Sequence, residues 1–224
     1  MQKTPDASAF YSRWSGESQN ALLIKQVHLR LTFAKVKRSV YFLRMKKKLD
    51  IISAAERLFY LKGFHAVSTD RICSEANVST RTMYRYFPSR EALTAAVLAA
   101  RQERFFAALS PPEQPQAVSR MFDAMADWMQ QYGNHGCLFL KAWGEYVGQD
   151  AALAQQALAY RHKMRDYIAR SIYHALGRQH VALADAIWLL FEGVLTSALI
   201  MGAVNACDAG KAAALQLIAL SENT

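Results

Sequence analysis

From Lys47 onward, apolar residues recur at helical spacing. Leu49, Ile52, Ala55, Leu58, Phe59 and Leu61 predict a helix that Gly63 closes in a left-handed conformation. Ser68 or Thr69 caps the next predicted helix, 69–76, whose inward side is Ile72 and Ala76. Asn77 takes the turn, because asparagine tolerates positive φ better than any residue but glycine, and Ser79 caps a third helix from 80 to 87. Pro88 stops that helix, Ser89 caps a fourth at 90–109, and Ser110-Pro111-Pro112 ends it. This double proline is the predicted domain boundary. Beyond it, apolar-rich helical segments are predicted at 115–132, 137–148, 150–176, 181–205 and 210–221, separated at Gly133, Gly136, Gly148, Gly177 and Gly210. Only Val27, Leu29, Leu31 and Phe33 alternate with polar residues like a strand, and nothing downstream offers a sheet to pair with. The fold class is all-α.

Charge changes the picture. The net +9 is distributed as +6 over residues 1–44, +4 over 45–100 and −1 over 101–224. A basic front half on a near-neutral back half predicts a polyanionic partner in front and another task behind, with nucleic acid and an anionic membrane surface both open. Residues 1–44 are read as a basic extension, either disordered or upstream sequence from a misplaced start; the rival is a basic arm reaching DNA. Cys73, Cys137 and Cys207 are odd in number and far apart, which fits neither a disulfide framework nor a CxxC metal site and points to a reducing cytoplasm.

The short helix, tight turn and second short helix between 69 and 87 have the layout of a helix-turn-helix, whose second helix enters the DNA major groove. Met83 and Phe87, four apart, pack inward with Val78, while Arg81, Tyr84 and Arg85 share the opposite side beside Thr80. Guanidinium forks can read guanine edges, hydroxyls can bind phosphate and methyls can meet thymine. Arg90, in the first turn of the following helix, adds a phosphate contact. A solvated cationic face on an ordinary bundle is the bland alternative. The coincidence of turn, caps and inward/outward partition favours DNA.

Residues 46–93, especially AAERLFYLKGF and VSTDRICSEANVSTRTMYRYFPSREAL, resemble the DNA-binding domain of the tetracycline-repressor family of bacterial transcription regulators. Over 101–224 the resemblance extends to an all-helical pattern and to GCLFLKAWGEY at 136–146. It implies a homodimer with an N-terminal three-helix DNA-binding domain, here 45–100, followed by an all-helical effector-binding and dimerisation domain, here 101–224. By position, base reading falls to Thr80, Arg81 and Arg85, and phosphate contacts to Thr69, Tyr84, Tyr86 and Arg90. Two positions depart from the family's pattern: Asn77 stands where glycine is usual, and Cys73 where a small alanine is usual. Cys73 is read as a packing residue.

The back half is rich in aromatic and methionine residues. Any one of them is more simply core, but as a group Trp128, Tyr132, Phe139, Trp143, Tyr146, Tyr167 and Trp188 suit a pocket for an apolar or aromatic small-molecule effector. Glu192, alone in the apolar run Ala186–Val204, is read as selecting a cationic or hydrogen-bonding ligand if buried there. That run is long enough to span a bilayer, but it carries Glu192 and lacks a flanking Lys/Arg cluster, so it is read as an interface helix and no membrane partner is expected. Helices 181–205 and 210–221 are the expected dimer seam, which places two recognition helices on a near-palindromic double-stranded operator. No histidine or cysteine spacing supports a metal site, and the absence of a nucleophile elbow or phosphate loop argues against an enzyme and against a cofactor. The function expected is a sequence-specific regulator, a repressor released by its effector. The alternative is non-specific binding of nucleic acid or a membrane surface by the basic front half.

Overall fold

The computed structural model describes residues 43–222, and the alternating run at 27–33, with most of the basic extension, lies outside them. Of the described residues, 43–49 and 50–222 fall in separate units. The first unit contributes the beginning of helix α1, 43–62, whose residues up to 50 are all exposed.

The second unit is entirely helical among the described residues. After α1 come α2 (Thr69–Glu75), α3 (Thr80–Tyr86), α4 (Arg90–Ala108), α5 (Ala117–Tyr132), α6 (Leu138–Tyr146), α7 (Ala151–Leu176), α8 (Val181–Met201) and α9 (Ala203–Glu222). The predicted caps form. Ser68, Ser79 and Ser89 each accept a backbone N–H three residues on, from Arg71, Thr82 and Ala92. Of the two candidates for the first cap, Ser68 fills it and Thr69 becomes the first helical residue. Asn77 has φ 50°, so the turn adopts the conformation that glycine favours and asparagine can carry.

The two last helices differ from expectation. The break falls at Gly202, with φ 80° and ψ 157°, rather than near 206–209. Gly210 is not a separator at all: it lies buried inside α9. A Cβ there would stand 3.0 Å from Phe122 Cε1 and closer still to Val194 Cγ2, so the missing side chain lets α9 press against both α5 and α8. Sequence reading took Gly210 as a separator, whereas tertiary contact requires it there. Gly210→Ala is expected to cost about 1–3 kcal/mol through overpacking, read as a lower denaturation midpoint. Gly144→Ala, at an exposed position of α6 with nothing within 4 Å, is the control and should be neutral or mildly stabilising.

One continuous apolar cluster runs from Ile51 in α1 to Ala214 in α9. It includes Phe59, Phe64, Ile72 and Met83 under the first helices, and Met121, Phe122, Met164 and Phe191 between the later ones. α8 is long and apolar enough to cross a membrane by length and composition, and about a third of it is buried against its neighbours. Its outward residues include Leu189, Leu199 and Ile200, the last 90% exposed.

Candidate nucleic-acid interface

α3 is held by what it buries. Met83 and Phe87 are sealed in the core with Ile72 and Cys73, and Val78 packs against the same cluster. The Cys73 thiol lies 3.8 Å from Met83 Sδ, which makes it a packing contact between α2 and α3. The opposite side of α3 presents Thr80, Arg81, Tyr84 and Arg85, all exposed. Among the described residues neither Arg81 nor Arg85 has a carboxylate partner; Arg85 lies 5.5 Å over the neighbouring Tyr86 ring. Thr80 Oγ1 donates to Asp70 at 3.4 Å, tying the start of α3 to α2. Uncompensated guanidinium groups beside a phenol on one helix face suit a polyanion that offers both phosphates and base edges.

The remaining predicted contacts are placed less freely. Thr69 and Tyr86 are half-buried. Arg90 turns inward: its guanidinium lies 5.4 Å over the Phe59 ring and donates to the Phe64 carbonyl. Fewer of its N–H groups therefore remain for a phosphate than the sequence suggests.

The turn between α1 and α2 is gripped from α6. Glu145 accepts the backbone N–H groups of Phe64 at 2.8 Å and His65 at 2.7 Å, and His65 Nδ1 lies 3.0 Å from the same carboxylate. Gly63, φ 87°, permits this approach, because a Cβ there would sit 2.8 Å from Glu145 Oε1. One turn earlier, Lys141 donates to the Tyr60 carbonyl at 2.8 Å. Burial lowers the Lys141 pKa, opposed by Glu145. Both residues belong to the GCLFLKAWGEY segment, but nothing in the sequence assigned them this task.

The eight residues expected around an effector do not form one site. Trp128 and Phe139 do converge, with Met125, Tyr160 and Phe191, on a cavity of about 30 Å³, room for one water rather than for a ligand. Phe139 and Tyr160 stack at 3.7 Å across it. Tyr146 instead packs on Phe64 and His65 beneath the α1–α2 turn, and Tyr167 donates to the Ser110 carbonyl. Tyr132 and Trp143 are exposed. Trp188 stacks on Phe191 under the Arg161 guanidinium, and Arg161 pairs with Glu192 at 2.7 Å. Glu192 is thus already matched by a cation. Burial raises its pKa and the arginine opposes that rise. Burial also pushes up the Cys137 thiol and the Tyr160 phenol, so both line this region in their neutral forms. Tyr160 and Arg161 were not singled out from the sequence, and Cys137 was weighed there only against disulfide and metal roles. Tyr160 follows the helical stripe of α7 and had only its burial to mark it.

Comparison with known proteins fits this geometry. Residues 51–97 match a family model described as bacterial regulatory proteins, tetR family, and residues 115–214 match one described as tetracyclin repressor-like, C-terminal domain. The HTH-type transcriptional regulator UidR of Escherichia coli K12 is 39% identical over 62 residues, 28% of this chain, and the chain spans only 32% of that relative's length. A TetR-family transcriptional regulator from Streptomyces coelicolor superposes with a TM-score of 0.73 at 22% identity, covering 80% of this chain and 97% of the other. The reduced form of E. coli NemR superposes at 0.64 with 16% identity, over 76% and 97% of the two chains. At such identities these structures share the fold.

Proposed function

Because this chain belongs to the tetR family of bacterial regulatory proteins, we propose that it acts in the cytoplasm as a homodimeric repressor, released from a near-palindromic operator by a small molecule. The family consists of DNA-binding transcription regulators rather than enzymes. The observation that carries the finer reading is the face of α3, where Arg81, Tyr84 and Arg85 stand exposed while Met83 and Phe87 fix the helix from behind. In this reading residues 45–100 bind DNA, with Thr80, Arg81 and Arg85 reading bases and Thr69, Tyr84, Tyr86 and Arg90 contacting phosphates.

The dimer seam is assigned to α8 and α9. Leu189, Leu199 and Ile200 of α8, with Leu215 and Leu220 of α9, leave an apolar surface in water that a second copy would cover. Use of α8 as a protein interface is preferred to a membrane span because its inner face already packs on α7 and α9. The effector is assigned to residues 101–224 around Trp128, Phe139 and Tyr160, and is apolar or aromatic. Its entry must displace side chains, since the cavity holds about 30 Å³. Opening the core would shift the population toward a form with altered spacing between recognition helices.

Selection of a random DNA pool against the purified protein at near-physiological salt tests the reading. The expected product is a palindrome whose half-sites are about one duplex turn, ~34 Å, or a multiple apart. Recovery without any motif would overturn it in favour of bulk polyanion binding.

A further inference from the structure

A second, larger cleft borders the aromatic core, sharing Tyr60 and Arg101 with it. Its walls come from α1, α4, the end of α5 and His135, and its volume is about 520 Å³, within the range of small-molecule sites. Three arginines line it, Arg57, Arg101 and Arg104, against one carboxylate, Glu56. Arg101 Nη1 and Arg104 Nη2 both donate to Glu56, at 2.8 and 2.7 Å, and Arg57 is paired with Glu75. The local balance stays positive.

Arg104 is the group left over. Only its Nη2 has an acceptor among the described residues, and its Nε is buried with none. Nη1 has no acceptor among the described residues either and, unlike Nε, is not buried, so it is the donor that a ligand oxygen in the cleft can meet. The guanidinium also lies 5.5 Å over Tyr132, which is 36% exposed, and Arg101 lies 4.4 Å over Tyr60. Leu61, 52% exposed, completes an apolar side. Cations at one end and aromatic and aliphatic walls beside them suit a flat apolar body that carries one negative charge.

We propose that this cleft is a binding site for small aromatic carboxylates, with Arg104 as the carboxylate receptor and Tyr132 as the wall for the ring. It borders the effector region assigned above, sharing Tyr60 and Arg101 with that cavity, but none of Met125, Phe139, Tyr160 and Phe191 lines it. An occupant touches α1, α4 and α5 at once. Within the regulator reading it therefore favours one arrangement of these helices, but the binding itself does not depend on that reading.

The test titrates the full-length protein with 1-naphthoate and its neutral isostere 1-naphthamide by equilibrium dialysis, without DNA. Loss of a charge-assisted hydrogen bond predicts about 10–150-fold weaker binding of the amide. The same loss is expected for the acid on Arg104→Gln. Ser53 is exposed on the rim, so Ser53→Trp should fill the cleft, abolish saturable binding and leave the thermal midpoint unchanged. Arg161→Gln, in the aromatic core, should leave naphthoate binding intact. Equal binding of acid and amide, unaltered binding in Ser53→Trp, loss of binding in Arg161→Gln, or no saturable naphthoate binding at millimolar concentration would each overturn the proposal. Since no DNA is present, failure of operator selection leaves this result readable, and the reverse holds too.

Discussion

Replacing Glu56 with alanine is expected to lower the stability of the fold by about 3–5 kcal/mol, the cost of leaving a buried charge without its counter-charge. Glu56 is 6% exposed, as is Arg101, and the carboxylate receives both Arg101 and Arg104, the latter on both oxygens. Arg101 has no other carboxylate among the described residues, and it is confined between the Tyr60 and Trp128 rings at 4.4 and 5.2 Å. Removing Glu56 therefore leaves the buried Arg101 guanidinium between aromatic rings without the one carboxylate it meets among the described residues. Chemical denaturation of the purified protein measures the loss. The double replacement Glu56→Leu with Arg101→Met removes both charges and should recover much of it, because hydrophobic groups of similar volume often substitute for a buried pair at little cost. A single-variant loss below about 1 kcal/mol would mean that the network behaves like a surface ion pair.

Alanine at both Arg81 and Arg85 is expected to erase most of the preference for the selected operator over unrelated duplex. Each base-reading arginine contributes about 1–3 kcal/mol of discrimination, so the pair accounts for about 2–6 kcal/mol if the two act independently. They stand one helical turn apart on the exposed side of α3 with no competing carboxylate, so the fold itself has little reason to change. The measurement compares affinity for operator and scrambled duplex at one fixed salt concentration, since phosphate contacts make both values salt-dependent. Affinity that falls equally on both sequences would assign the two arginines to phosphates and remove their base-reading role.

Local signals carried the first half of the chain. Apolar spacing, three serine caps and an asparagine turn act within a few residues of one another, so Ser68, Ser79, Ser89 and Asn77 could be read in order along the sequence. The exposed and buried sides of α3 followed from helical periodicity alone. The later helices are apolar on more than one side, because several neighbours cover them, and there the pattern loses its direction. That is why Gly210 reads as a boundary although it is a contact, and why Tyr146 and Tyr167 read as pocket walls although one props the α1–α2 turn and the other ties to Ser110.

The sequence by itself determined the all-helical class, the helix-turn-helix with its cationic face, and the family, because each rests on residues close together in the chain. Only the tertiary structure decided that Glu145 holds the backbone of Phe64 and His65, that Arg161 answers Glu192, and that Arg101 and Arg104 converge on Glu56. Those partners lie tens of residues apart. A charged side chain in the sequence shows its sign and reach, but which opposite charge or orphan N–H it meets is fixed by packing, through the cost of leaving either one buried alone.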